Sequence, residues 1–268
     1  FHNGLWIRLL APERYSGRII YSIRNSLEQS SFIERSIEKF LHSRSITVTN
    51  SHFVLDQYKK IVRNCSSESC LTIYNGIEIE KFRTDEAPIV SDPIVIGTVG
   101  RQTPLKNQIQ ILRVIKHLSN EYPINAFIIG DSDQDSFQIN YDYVRENKLD
   151  DKVKIMDSQG EIEYYYKMFN IFVLSSIHES CPNSLLEAML ARVPVICSGK
   201  ENIGCYFEDG NDLLFIENTE PITIATAIES LVVDWSSAVS IANNGFEKSQ
   251  NMQGMVFDAL AKLFSQCI

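Results

Sequence analysis

Two glutamates, Glu179 and Glu187, bracket the run Glu-Ser-Cys-Pro-Asn-Ser-Leu-Leu-Glu, and two cations, Arg101 and Lys106, follow a buried apolar run at 94–99. Such a set suits a ligand that is anionic at one end and rich in hydroxyls at the other. Arg101 can grip a phosphate through two parallel hydrogen bonds and Lys106 adds a point charge, so both would stabilise negative charge growing on a departing diphosphate. Pro182 suits the first turn of a helix, because its missing N–H costs nothing there. The backbone N–H groups of Asn183, Ser184 and Leu185 are then free to point at an anion. Glu187 lies three and four residues beyond Ser184 and Asn183, so the three share one helix face. A carboxylate there accepts hydrogen bonds from neutral hydroxyls, as from a ribose diol, and Glu179 in the preceding loop is placed for the hydroxyls of a sugar. The competing readings are a solvated loop for Arg101 and Lys106 and surface acids for the two glutamates. Gly97-x-x-Gly100 matches neither the dinucleotide fingerprint nor the P-loop, so neither NAD nor ATP follows from it.

The elements that must position these residues alternate. After Pro93 the pattern predicts strands at 94–99, 126–129, 153–156, 171–174, 194–197 and 213–216, with helices at 107–118, 137–147, 161–168 and 182–191 between them and further helices to the end. Continuous apolar strands joined by amphipathic helices predict a doubly wound, Rossmann-like parallel sheet covered on both faces. Ligands of such sheets bind beyond the carboxyl ends of the strands. The first eighty residues give shorter strand-like runs at 19–23, 45–49 and 71–74 and a helical stretch at 31–43, the tail of another α/β domain. A polar segment with two prolines, residues 81–93, breaks both periodicities and marks the expected boundary. The division expected is 1–85 for the end of an N-terminal domain, 86–250 for the Rossmann-like ligand-binding domain, and 251–268 for a helix returning to the first.

The chain of 268 residues is 44% apolar and can bury a sizeable core. No apolar run approaches the length that crosses a bilayer. The start at Phe1 carries no secretory pattern and reads as the interior of a longer protein. The six cysteines show neither Cys-x-x-Cys nor zinc-finger spacing and read as reduced, cytosolic thiols, with Cys65 and Cys70 able to pair only after export. Residues 1–64 hold ten Lys/Arg against five Asp/Glu, leaving fifteen against twenty-nine and a net −14 in the remainder. A basic start on an acidic body fits peripheral contact with an anionic membrane, or an acidic acceptor, better than nucleic acid; an ordinary solvated face is the alternative.

The residues resemble the retaining glycosyltransferases of family 4. The likeness rests on Glu179-x7-Glu187 together with Thr47-Val48-Thr49-Asn50-Ser51, Ile73-Tyr74-Asn75-Gly76-Ile77-Glu78 with Phe82, the Gly100-Arg101 and Lys106-Asn107 turn, Leu186-Glu187-Ala188-Met189 and Pro194-Val195-Ile196, all in family order. The resemblance implies the two-domain GT-B fold, with the C-terminal donor domain complete and the N-terminal domain present only in its last part. It implies transfer of a sugar from UDP-sugar or GDP-sugar to a glycan or lipid-linked acceptor, with retention of configuration and with neither metal nor other cofactor. The setting it implies is surface polysaccharide, capsule or lipopolysaccharide synthesis on the cytoplasmic side. It assigns the donor diphosphate to Arg101 and Lys106, the ribose to Glu187 and the transferred sugar to Glu179, and it brings His2 near that sugar. Ser180 and Cys181 in place of a glycine and an aromatic, Arg192 in place of a glycine, and the run Asn202 to Cys205 depart from the pattern and loosen the identity of the sugar. The rivals are a sugar-nucleotide epimerase of the same fold and a non-catalytic sugar-nucleotide-binding module.

Overall fold

The computed structural model describes residues 19–24, 31–63, 65–66 and 68–267, together with Arg8, Leu10 and Pro12. His2 lies outside the described residues. The chain forms two compact units, one of residues up to Gly76 with those from Met252 onward, the other Ile77–Asn251.

The first unit contains β1 (Ile20–Ile23), α1 (Phe32–Leu41), β2 (Ile46–Thr49), α2 (His52–Ile61) and β3 (Cys70–Thr72), its three strands parallel in the order β1-β2-β3. Ser31 opens α1 with a reciprocal capping box to Glu34, and the Ser51 hydroxyl accepts from the Val54 N–H at the start of α2. The run Thr47 to Ser51 is therefore a buried strand ending in a helix cap. Ile23, Val54, Leu55, Tyr58 and Val62 make one apolar cluster, and Ile46, Val48 and Ile73 make another with Val256 and Leu263 of the last helix. Cys65 and Cys70 are joined as a disulfide with Cα atoms 5.9 Å apart, which corrects the reading of six reduced thiols. Hydrogen bonds between Ser66 and Ser69, and from the Cys70 N–H to the Ser66 carbonyl, bring the two together.

The second unit carries α3 (Ile79–Phe82), β4 (Ile94–Val99), α4 (Ile109–Leu118), β5 (Ile124–Ile129), α5 (Gln134–Glu146), β6 (Val153–Met156), α6 (Ile162–Tyr166), β7 (Ile171–Leu174), α7 (Asn183–Leu190), β8 (Val195–Cys197), α8 (Lys200–Ile203), β9 (Leu214–Phe215), α9 (Pro221–Val233) and the part of α10 (Trp235–Cys267) up to Asn251. The two units divide after Gly76, ahead of the polar segment 81–93, because α3 packs on the second: Phe82 meets the ring of Tyr166 edge-on and Lys81 pairs with Glu163 at 3.4 Å.

The six strands are all parallel in the order β6-β5-β4-β7-β8-β9. The chain enters at β4, steps outward to β6, then returns to lay β7 on the other side of β4. That reversal is the switch point at which loops on two neighbouring strand ends diverge and leave a crevice. Alternation along each strand gives both faces a core. Ile96, Ile128, Ile171, Val173 and Ile196 face a cluster completed by Ile111, Leu112 and Ile115 of α4 and Ile224 and Ile228 of α9. Phe172 and Phe127 face the other side, where they meet Tyr166 and Phe169. Gly97 lies inside β4, and a Cβ there would overlap the Phe169 ring, so this glycine makes room for the aromatic layer. No described helix alone is long and apolar enough to cross a membrane.

Candidate functional site

The strand order sets the carboxyl ends of β4 and β7 side by side, and the loops leaving them are bonded to each other. The Ile177 N–H donates to the Leu105 carbonyl at 2.8 Å, and the Ser175 hydroxyl reaches the carbonyls of Lys106 and Asn107, each at 3.2 Å. Asn107 holds φ at 55°, a left-handed conformation that asparagine accepts better than most residues, and this turns the chain into α4.

The β4 loop is held from beneath. Gly130, at φ 144°, lies so close to this turn that a Cβ would stand 2.2 Å from the Gly100 carbonyl oxygen, so only glycine fits the approach. Gln102, fully buried, donates from Nε2 to the Gly130 carbonyl at 2.8 Å and accepts from the Asn140 amide at 3.2 Å. Gln108 donates to the Arg101 carbonyl at 3.0 Å. The backbone of Arg101 is thereby fixed while its side chain is exposed.

Lys106 turns the other way, toward β7. Its ammonium pairs with Glu179 Oε1, which also accepts from the Ser176 hydroxyl at 2.6 Å. Glu179 is 8% exposed, so its charge is compensated by a cation and a hydroxyl rather than by water. Beside it, the imidazole Nδ1 of His178 lies 3.2 Å from the side-chain amide of Asn202 in α8. The segment Asn202 to Cys205, a departure from the family pattern, thus supports the residue next to Glu179.

Helix α7 begins just past this loop. Pro182 occupies its cap position with extended backbone, and its ring offers no hydrogen-bonding group to the first turn of the helix. One turn and a half on, Glu187 is partly buried and its Oε2 accepts from the Tyr166 phenol at 2.8 Å; the same phenol lies 3.3 Å from the Ser184 carbonyl. Burial raises the Glu187 carboxyl above its ordinary range, opposed by the Tyr166 hydrogen bond and by the charge of Lys81.

Lys106 and Glu179 are in direct contact, and Ser184 and Glu187 share the Tyr166 phenol. The Arg101 side chain, on the β4 loop, hydrogen-bonds to neither pair. Sequence reasoning missed Tyr166, Ser176 and Gln102. Tyr166 and Glu187 are 21 residues apart on different helices, and no local spacing announces that pair; Ser176 lies three residues before Glu179 and was open to view as a short polar run after a buried strand. Arg192, at φ 52° where the family pattern has glycine, is held by hydrogen bonds to the Thr84 carbonyl at 2.9 Å and Asn243 Oδ1 at 2.5 Å and lies 3.8 Å over the Phe246 ring. Three contacts offset the strain of a side chain in a left-handed position. Among the described residues no group of three His, Cys, Asp or Glu side chains is arranged to hold a metal ion.

The sequence profile of the glycosyl transferases group 1 matches residues 80–248, which contain every element of this site. The chain belongs to that family. The chain is 27% identical over 208 residues to the capsular polysaccharide biosynthesis glycosyltransferase CapM of Staphylococcus aureus, covering 73% of this chain and 54% of that protein. It is 26% identical over 160 residues to an Escherichia coli UDP-Gal:alpha-D-GlcNAc-diphosphoundecaprenol alpha-1,3-galactosyltransferase, covering 54% of this chain and 40% of the relative. The chain spans about half the length of these curated relatives. Among solved structures, Anabaena HepE, crystallised with UDP and glucose, superposes with a TM-score of 0.77 at 19% identity over 90% of this chain and 71% of its own. The chain thus has the α/β fold with parallel sheets expected of the GT-B type.

Proposed function

We propose that this chain binds a nucleoside-diphosphate sugar at the switch point of its larger sheet and serves transfer of the sugar, with retention of configuration as in family 4, to a glycan or lipid-linked acceptor of a surface polysaccharide. The observation that carries the reading is the convergence of the β4 and β7 loops, which brings the Lys106 ammonium onto Glu179 just ahead of the start of α7. In this reading Arg101, Lys106 and the N–H groups of Asn183, Ser184 and Leu185 take the diphosphate, Glu187 takes the ribose, and Glu179 takes the transferred sugar. The exposed Arg101 closes on the phosphates, and Lys106 leaves Glu179 in part to meet them, so that both carboxylate oxygens become available to hydroxyls. Charge that grows on the leaving diphosphate is met by groups already in place, which lowers the barrier without a side-chain nucleophile. UDP is the first nucleotide to try, since HepE was crystallised with it. The surplus of Lys and Arg in residues 1–64 supports peripheral contact with an anionic cytoplasmic leaflet, where lipid-linked glycans would be met.

Thermal denaturation of the chain with UDP, GDP, ADP and the corresponding sugars tests the donor assignment. A nucleoside diphosphate is expected to raise the melting temperature in proportion to the logarithm of its concentration. Linkage analysis of the product separates the activities: an acceptor-dependent product with the donor's anomeric configuration supports retaining transfer, and an epimerised sugar released without acceptor contradicts it.

A further inference from the structure

We propose that Tyr166 is a positioning residue for the donor: its phenol holds the Glu187 carboxylate in the orientation in which that carboxylate receives the ribose hydroxyls. The proposal rests on the ribose reading of Glu187 given above.

Tyr166 is fully buried, and its ring is fixed by Phe82 and Phe169 at centroid distances of 5.6 Å and by Phe172 at 5.8 Å. The phenol oxygen therefore occupies one place. It has a single proton to donate, and of its two neighbours the carboxylate at 2.8 Å is both nearer and the stronger acceptor than the Ser184 carbonyl at 3.3 Å. Glu187 is a flexible side chain that would otherwise have to be ordered when a ligand binds. The phenol engages Oε2 and leaves Oε1 without a hydrogen bond from any described residue. Half of the carboxylate is thus tied down and half is presented, an arrangement that neither helix would produce by itself.

The charged groups acting on Glu187 are few. Burial favours its neutral form, the Tyr166 phenol favours the anion, and Lys81, itself paired with Glu163, adds a smaller attraction. Without the phenol the carboxyl would titrate higher still, and the anion that ribose requires would be lost earlier as the solution is acidified.

Isothermal titration of the chain with UDP and GDP, and with the 2′,3′-dideoxy form of each, tests the proposal. The wild type is expected to prefer the ribonucleotide. Tyr166→Phe is expected to weaken ribonucleotide binding about 3- to 10-fold, the range of one hydrogen bond. It should leave the dideoxy nucleotide unchanged and move the acid limb of ribonucleotide binding to higher pH. Should the variant prove less stable, the coupling still decides: Tyr166→Phe added to Glu187→Gln is expected to cost no further affinity. Equal weakening of ribo and dideoxy forms, undiminished discrimination, or additive losses in the double variant would overturn the proposal. A wild type that binds both forms alike removes the ribose role of Glu187 and this proposal with it, whereas a wild type that binds no nucleotide removes the donor site itself.

Discussion

Glu179 sits in a loop with a lysine and a serine on one oxygen, whereas Glu187 sits on a helix with a phenol on one oxygen and no cation in contact among the described residues. Both are withdrawn from water, and the two solutions differ. The loop supplies a countercharge, so Glu179 stays in place at the cost of occupying the cation that a diphosphate would want. At Glu187 the contact is a neutral donor from the neighbouring helix, with Lys81 acting only at a distance, so burial still pushes the carboxyl up and its second oxygen is available to a neutral partner. The difference teaches that acids in one short motif can be divided between roles by their surroundings: a carboxylate already bound to a cation is linked to phosphate binding through competition, and one bound to a phenol is suited to hydroxyls.

The largest effect that could break this comparison comes from Lys106→Ala, which leaves Glu179 nearly buried with a single serine donor. Loss of about 2 kcal/mol is expected, below the cost of breaking a fully buried pair because the lysine side chain is 24% exposed. Denaturant unfolding checks it, and a loss no larger in Lys106→Ala than in the double variant Lys106→Ala/Glu179→Gln would show that the pair does not matter. Next comes affinity: Glu187→Gln is expected to weaken UDP or GDP binding about 10-fold, the value of one hydrogen bond to a charged group, while Glu179→Gln changes it by less than about 3-fold. Titration calorimetry of the two variants side by side decides whether the carboxylates are unequal. The smallest effect concerns pH. A carboxyl raised in the folded state lends stability that is full below its unfolded range and is lost as pH rises through the folded value. Glu187→Gln should therefore melt higher than wild type at neutral pH, with the gap closing below about pH 4, where the unfolded carboxyl is also protonated. Thermal denaturation between pH 4 and pH 8 measures it, and a gap that widens on acidification would contradict the sign.

The alternation of the second unit was legible because its strands are apolar throughout and its helices carry clear stripes; the strand runs at 94–99, 153–156 and 171–174 have the same bounds in the structure. Helix α2 was missed although Ser51 caps it, since only Asn50 and Ser51 separate it from β2 and the strand pattern runs into it. The first turn of α5 was missed too, opened by Asp133 capping the Ser136 N–H. For the site, residue types and spacing pointed to Arg101, Lys106, Glu179 and Glu187, but not to the contact between Lys106 and Glu179, which are 73 residues apart and meet only because β7 lies beside β4. Tyr166 illustrates the same limit: a tyrosine in a run of three reads as surface or core, and its phenol acquires meaning only when α6 and α7 are packed. Gly97 is the converse case, a glycine of a loop-like motif whose task is to admit Phe169.

The role of the exposed Arg101 in gripping a diphosphate is open to the most direct measurement. Its side chain pairs with no described residue, so Arg101→Ala should leave the melting temperature of the free chain unchanged, and titration with UDP and GDP then isolates binding. The wild type is expected to bind one of these nucleotides and Arg101→Ala to weaken that binding at least 10-fold, or about 1.4 kcal/mol, with the loss shrinking as salt is raised. Equal affinity in the two proteins, or no nucleotide binding by the wild type, would contradict it.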